Sequence, residues 1–206
     1  MAARARPLAA ALLALGLASC SDWRAKVDPA RVREEPLQEP LEAPPIEVER
    51  RGHQVRLTTR ASYRLTAYAV DTSRELLDEW DFAVPMDLSV VWGPVADPAV
   101  LRHMRFHLSR RYVSWFADED PGIPRPVIES HVANVHLVPA DEEVAAELKR
   151  IRKGDLVTLA GRLVDIEIRD AAGAVKAAMR TSLRRDDVGS GACENLWVER
   201  VEVERP

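Results

Sequence analysis

The sequence predicts an α+β domain in which a curved, mostly antiparallel sheet or small barrel packs against two short helices. Two observations lead to this class. Segments that alternate apolar and polar residues recur from residue 46 to the C-terminus, separated by Gly, Pro and Asp turn signals. Helix start signals occur at two places only, Asp97-Pro98 and Pro139-Ala140. We therefore expect one domain over residues 46–206.

The first strands are expected between residues 46 and 92. Ile46 to Arg51 and Gln54 to Thr59 flank Gly52-His53, which predicts a hairpin. The alternating segment from Ser62 to Val70 predicts a third strand. Residues 86–92 predict a short strand that ends at a Gly-Pro breaker.

The middle of the chain predicts two helices and two further strands. Asp97 as N-cap and Pro98 as first helical residue predict a short helix that ends near Met104. Residues 105–109 and 112–116 have strand patterns on either side of Arg110-Arg111. An irregular Pro-rich loop comes next, and residues 139–153 then predict the clearest helix, with acids in its first turn and basic residues near its end.

The densest strand signal lies between Lys153 and Val203. Leu156 to Ile168 has apolar residues on both faces, so this strand is either buried on both sides or bends at Gly161. A turn at Asp170 to Gly173, a second strand and a closing strand follow. This region is expected to form the core.

The N-terminus predicts a secretory signal. Arg4 and Arg6 precede a short apolar run from Leu8 to Leu17, which is shorter than the ~20 residues needed to cross a bilayer. The residues Leu17-Ala18-Ser19-Cys20 then resemble the lipobox of bacterial lipoproteins. That resemblance implies cleavage before Cys20 and acylation of Cys20, whereas the alternative is an ordinary signal peptide with an incidental cysteine.

Residues 20–45 predict a Pro- and Glu-rich tether, because five prolines disfavour both helix and central strand. In the alternative that we keep open, Leu37, Leu41 and Ile46 dock onto the domain as an irregular first layer. The resulting location is the bacterial cell envelope, facing the periplasm, with the choice of inner or outer membrane left open.

The charge balance argues against nucleic acid as a partner. Loss of residues 1–19 removes two of the 29 Lys and Arg residues, which leaves 27 against 33 acidic residues and a net charge of −6. Nucleic-acid binding depends on neutralising phosphates, which an acidic chain does poorly.

Four segments between residues 90 and 200 resemble a group of uncharacterised bacterial envelope proteins. They are W-G-P with D-P-A-V-L, E-S-H-V-A-N-V-H-L-V-P-A-D, G-D-L-V-T-L-A-G-R-L-V and S-L-R-R-D-D-V-G-S-G-A-C-E. The resemblance implies a shared domain but no activity or ligand.

Cys193 follows the glycine-rich segment 189–192, and we interpret it as a small structural thiol at the start of the last strand. The alternative is a nucleophile activated by a neighbouring base. His131, His136 and Asp186 are the candidate partners for that alternative, although sequence spacing ties none of them to Cys193. No catalytic residue, cofactor or metal site is therefore assigned.

One segment rich in basic and aromatic residues is positively charged, although the net charge of the protein is negative. Its candidate binding residues are Arg102, Arg105, Arg110, Arg111, Tyr112 and Trp115. Such a patch suits an anionic envelope lipid or glycan. The sequence therefore predicts a membrane-anchored envelope lipoprotein with a non-catalytic binding or scaffolding role, and the alternative is a cysteine-dependent hydrolase or transferase acting on cell-wall material.

Overall fold

A computed structural model describes residues 22–74, 78, 80–187, 189 and 191–205. The lipobox Leu17 to Cys20 thus lies outside the described residues. In the described part the strands are Leu37–Pro40 (β1), Ile46–Arg50 (β2), His53–Ser73 (β3), Met86–Val91 (β4), Met104–Ser109 (β5), Tyr112–Ala117 (β6), Val132–Pro139 (β7), Leu156–Arg169 (β8), Val175–Met179 (β9) and Glu194–Glu204 (β10). The α-helices there are Pro98–Leu101 (α1), Arg125–Glu129 (α2) and Glu142–Leu148 (α3). Short 3-10 helices span Trp23–Lys26, Pro29–Val32 and Gly93–Ala96.

The predicted α+β class is confirmed. The helices α1 and α3 are the two that the sequence predicts, with Asp97 and Asp141 as N-caps that accept backbone N–H groups. The segment before β7 forms a further short helix, α2, which the sequence analysis did not predict. The two strands expected between residues 54 and 70 are parts of one long strand, β3, because its alternation continues without a break through a local bulge near Arg60.

Strand β3 organises the sheet. It pairs antiparallel with β8 from Gln54 to Tyr68 and with β4 from Tyr68 to Ser73. The order β3-β4-β7-β10-β8 then leads back to β3, and β7 and β10 are its parallel pair. Both β4 and β8 pair with β3 at Tyr68. The sheet is therefore strongly curved, but it does not close into a barrel.

The core fills the concave side of the sheet and continues under the helices. Trp92, Leu101 and Ile151 are fully buried there together with the inward residues of β3, β4 and β8. β5 and β6 form a separate two-stranded ribbon that follows α1. This ribbon and the adjoining ends of β4, β7 and β10 surround the candidate site.

Residues 22–45 pack against the domain. Val27 and Val32 are buried in the main core, and Tyr68 Oη accepts a hydrogen bond of 3.0 Å from Asp28 N. β1 adds a strand to one edge of β3. The chain thus has the docked arrangement kept open above, in part through the expected side chains. Ile46 packs against buried core residues, whereas Leu37 is 64% exposed and Val27 and Val32 are buried instead.

Candidate functional site

One face of β4, β7 and β10 carries polar side chains where an apolar core is expected. We call these six residues the polar face: Asp87, Ser89, Asn134, His136, Cys193 and Asn195. The strand register explains their meeting, because Asp87 pairs with His136, Ser89 with Asn134, and His136 with Asn195. Paired residues of neighbouring strands project to the same side of a sheet. Five of the six are buried and Cys193 is half-buried.

The first row of the polar face runs from Asp87 through His136 to Asn195. The Asp87 side chain is fully buried, and its Oδ1 lies 2.7 Å from His136 Nδ1. A carboxylate in this position fixes the orientation of the imidazole, so that Nε2 faces away from Asp87.

The second row runs from Ser89 through Asn134 to Cys193. Asn134 Nδ2 donates to the Arg111 carbonyl at 2.8 Å and reaches Cys193 Sγ at 3.7 Å. The thiol in turn lies 3.9 Å from the Arg111 carbonyl oxygen. Cys193 and His136 line the same pocket, and Cys193 contributes to the raised pKa of the imidazole.

The turn between β5 and β6 places Arg111 over the polar face. Arg110 and Arg111 both have positive φ, at 48° and 66°, which is the backbone of a type I′ hairpin turn. Residues with a Cβ enter this region at a cost, and Asn-Gly is the usual choice. Arg111 compensates by binding Asp78 through Nε and Nη2 at 2.6 and 2.7 Å, and by approaching Asp87 at 3.4 Å through Nη1. The ribbon is thereby fixed to the sheet by a buried cation.

The charges of this network perturb several protonation equilibria. Burial lowers the pKa of His136, but the hydrogen bonds to Asp87 and Cys193 outweigh burial and raise that pKa to about 9. The guanidinium of Arg111 lowers the pKa of Asp78. Glu194 is buried next to Cys193, and burial raises its pKa to about 7 although its carboxylate binds Arg185 at 2.7 Å. His136 is therefore an imidazolium at neutral pH.

Two pockets meet at Cys193. The first, of about 420 Å³, lies along β6 and α2 and is lined by Trp115, Phe116 and Arg125. The second, of about 390 Å³, contains His136 and Asn195 and is bordered by the basic residues 110, 111 and 180. Cys193 and Tyr112 line both pockets. The thiol is thus open to solvent on two sides, while its neighbours on the polar face are buried.

Several buried polar atoms of the polar face have no hydrogen-bond partner among the described residues. They are Asp87 Oδ2, Ser89 Oγ, Asn134 Oδ1 and Asn195 Oδ1. Leaving a buried acceptor unsatisfied costs about 1–3 kcal/mol per group. A face that carries four such atoms is poorly suited to a purely structural role and well suited to receiving hydrogen-bond donors.

The structure separates the residues that the sequence analysis grouped around Cys193. His136 lies beside the thiol. His131 instead contacts Val127, Ser130 and Glu35, away from the two pockets at Cys193. Asp186 is on the surface, where Arg184 binds it at 2.9 Å and lowers its pKa. Of the three candidate partners, the fold brings one to Cys193.

The predicted basic patch is also divided. Arg111 is buried and neutralised by acids, as described above. Arg105 is an exposed residue whose guanidinium binds Asp118 at 2.6 Å, and Arg102 is exposed with its Nε 2.8 Å from His103 Nε2. Arg110 and Tyr112 remain at the pocket beside Cys193, and Trp115 lines the neighbouring pocket.

Sequence reasoning missed Asp87 and Ser89, and it did not connect them with residues 134, 136, 193 and 195. The available signal was the alternation itself. In M-D-L-S-V-V and V-A-N-V-H-L-V, polar residues occupy every second position of otherwise apolar strands, and in A-C-E-N-L-W Cys193 and Asn195 have the same spacing on either side of Glu194. Polar residues on the inward face of buried strands indicate a site when several strands share the pattern.

Neither a metal-binding cluster nor a membrane-spanning helix occurs in the described part of the chain. Within it, no group of three or more His, Cys, Asp or Glu side chains is placed to hold a metal ion. Nor does any helix there have the length and apolar character to cross a membrane.

The chain was compared with known proteins in three ways. Protein-family models, curated proteins and solved structures gave no match. The function is therefore inferred from the site itself.

Proposed function

We propose that this protein is a lipid-anchored protein of the bacterial envelope that binds an anionic ligand in the pockets at Cys193. The anchor is Cys20, supported by the lipobox Leu17-Ala18-Ser19-Cys20 that follows the apolar run. The ligand carries a phosphate or carboxylate, from an envelope lipid or glycan. This is the binding role expected from the sequence, and the pockets at Cys193 support it.

The short distance between Cys20 and the turn capped by Asp22 determines how the anchor would hold the domain. Asp22 begins the first capped turn and lies two residues after Cys20. Two residues span at most about 7 Å. Because residues 22–45 pack on the sheet, an acylated Cys20 would hold the domain directly at the membrane surface rather than on a long tether.

The observation that carries the binding proposal is the positive charge around the second pocket. Arg110 and Arg180 are exposed at its border and form no ion pair with an acid among the described residues. Trp80 and Tyr112 supply aromatic surface beside them. An exposed pair of guanidinium groups next to aromatic rings suits an anionic group on a partly apolar or sugar-like ligand.

The test is binding to phosphatidylglycerol vesicles and to soluble muropeptides, as representatives of the lipid and glycan sources. We expect binding to one of them, weakened by salt because exposed charges are screened. Arg110→Ser with Arg180→Ser should reduce the affinity at least about tenfold, corresponding to 1.4 kcal/mol. The matched control is Arg102→Ser with Arg105→Ser, which removes two exposed arginines outside the pocket and should leave the affinity unchanged. Equal losses in both double variants would contradict the proposed site.

Acylation is tested separately by mass spectrometry of the mature N-terminus. We expect a diacylated or triacylated Cys20 as first residue, and release of the protein from membranes in Cys20→Ala. A mature chain that begins elsewhere, or membrane association that survives Cys20→Ala, would contradict the anchor.

A cysteine-dependent hydrolase or transferase is a second candidate function, favoured by one observation. His136 lines the second pocket together with Cys193, and Asp87 binds its Nδ1 at 2.7 Å. This is the order of nucleophile, base and orienting acid found in cysteine hydrolases.

A further inference from the structure

Cys193 differs from a buried structural thiol in three respects. It is half-buried and lines two pockets, it shares one of these pockets with the His136 imidazole, and the amide of Asn134 points a donor at its sulfur. A thiol in an apolar core has none of these neighbours, and it is unreactive because its surroundings disfavour the thiolate.

The neighbouring acceptors independently indicate a ligand. Asn195 is fully buried and lines the second pocket, while Asn134 is 3% exposed and lines the first. The Oδ1 atom of each has no partner among the described residues. Each pocket at Cys193 thus has in its wall an amide whose oxygen can accept an N–H or O–H group from a bound molecule.

We infer that Cys193 is a nucleophile for acyl groups, that His136 transfers the proton, and that Asp87 positions His136. The substrate class is an ester or amide whose acyl group carries an anionic substituent. The anionic substituent is inferred from the proposed anionic ligand, so this part rests on the proposed function. The acyl-transfer chemistry is inferred from the polar face alone.

The reaction is balanced with water as the only further reactant. The Cys193 thiolate attacks the carbonyl carbon and forms a C–S bond, and the C–O or C–N bond of the substrate breaks. The His136 imidazolium gives its proton to the departing alcohol or amine. Water then attacks the thioester while neutral His136 takes a proton from it, which releases a carboxylic acid and restores the thiolate and the imidazolium.

The charged groups around the thiol have opposing effects on its reactivity. Cations favour the thiolate and acids disfavour it. The cationic neighbours on the surrounding elements are His136, Arg110, Arg111 and Arg180. The acidic neighbours are Asp87, Glu194 and Asp187, of which Asp87 is bound by Arg111 and His136 and Glu194 by Arg185. The charged groups bordering the second pocket are thus positive, whereas the first pocket is lined by Arg125 together with Glu129 and Asp187.

The first test is the rate at which iodoacetamide alkylates Cys193 near pH 7, read on the Cys193 peptide by mass spectrometry. This readout is unaffected by any thiol at Cys20. We expect the folded full-length protein to react at least about tenfold faster than the urea-unfolded protein, since an imidazolium favours the thiolate. A slower reaction in the folded state would overturn the inference and establish the structural thiol.

Substitutions then test the roles of the neighbours. His136→Gln should lower the folded rate to that of the unfolded protein or below, whereas His131→Gln, a matched histidine away from the thiol, should leave it unchanged. Asp87→Asn should lower both the alkylation rate and the His136 titration midpoint observed by NMR, which a purely structural role would not change. If either variant fails to fold, the comparison of folded and unfolded wild type still decides the inference.

The last experiment distinguishes two negative outcomes, namely that Cys193 is not a nucleophile or that its pocket does not prefer anions. The probes are 4-nitrophenyl acetate and the anionic 4-nitrophenyl hemisuccinate, each followed by the mass of an acyl group on Cys193. We expect acylation by both, faster with the anionic ester, and loss of that preference in Arg110→Ser with Arg180→Ser. Acylation without a charge preference would overturn the anionic substrate class alone. Absence of acylation by both esters would overturn the nucleophile, whatever the outcome of the ligand-binding experiment.

Discussion

The role of Arg111 in the structure differs from the role that its sequence position predicts. In the sequence it is one arginine of an exposed basic patch, whereas in the structure it is a buried cation that holds two carboxylates. We predict that Arg111→Met lowers the free energy of unfolding by about 3 kcal/mol, because it leaves Asp87 buried without this partner. Urea denaturation provides the measurement.

Arg105 is the matched control for that prediction. It forms an ion pair with Asp118 in which both side chains are about half exposed. Exposed pairs contribute at most about 1 kcal/mol, so Arg105→Met should change stability by less than that. If the two arginines prove equally important or equally dispensable, the buried role of Arg111 is wrong.

His136 predicts a pH dependence of stability. Its folded-state pKa of about 9 exceeds the ordinary value of 6.5, so the folded protein retains the proton more strongly than the unfolded chain. The stabilisation is complete below about pH 6.5 and is lost as the pH rises through about 9, with a total of up to about 3 kcal/mol. Urea unfolding between pH 6 and 10 should show this decline, and His136→Gln should remove most of it. A flat profile in the wild type would contradict the ionised Asp87–His136 pair.

Sequence reasoning at the residue scale identified Cys193 and His136 but could not connect them. They come together because β7 and β10 are parallel neighbours although 57 positions separate the two residues along the chain. Parallel pairing is set by the crossover through α3 and by core packing, neither of which has a local sequence signal. Asp87 was missed for the same reason.

At the scale of elements, the N-terminal segment gives the clearest test of packing. Val32 is 1% exposed inside the main core, and Leu37, a few residues later, is 64% exposed. Val32→Ala should lower the free energy of unfolding by about 2 kcal/mol, since it removes buried methyl groups and leaves a cavity. Leu37→Ala should leave it nearly unchanged. Equal and negligible effects would mean that residues 22–45 form a free tether in solution.

The close approach of β8 and β10 depends on Gly161. A Cβ at this position would lie 1.9 Å from the Trp197 carbonyl oxygen, where β10 bulges between Val198 and Arg200. Gly161→Ala should therefore cost about 3 kcal/mol or prevent folding, because two backbones would have to separate. Gly173→Ala is the control, since its Cβ would meet nothing within 4 Å and only its positive φ is unfavourable, at about 1 kcal/mol. Similar losses in thermal denaturation would contradict the close approach.

Elements with local signals were the most predictable. The β2–β3 hairpin, the ribbon of β5 and β6, and the helices with Asp caps follow from alternation, turn chemistry and capping. The Pro-rich N-terminal segment was less predictable, because proline disfavours regular structure but does not prevent 3-10 turns and an edge strand from packing.

At the scale of the whole molecule, the strand order brings polar residues from three distant segments onto one face. An arrangement of strands carries no function by itself, so the function is inferred from the site. The polar face lies at the junction of the sheet and the β5–β6 ribbon, where Arg111 links the two. Buried polar atoms without partners there cost stability, which a protein tolerates where they serve a ligand.

We claim that the unpartnered atoms of the polar face serve a ligand and do not stabilise the fold. The most direct measurement is the free energy of unfolding of Ser89→Ala, because Ser89 is fully buried and its Oγ has no partner among the described residues. Removing an unsatisfied hydroxyl should raise the free energy of unfolding by about 1 kcal/mol. The same variant should not increase the alkylation or acylation rate of Cys193. A fall of about 1 kcal/mol or more would show that Ser89 supports the fold, and it would contradict the claim.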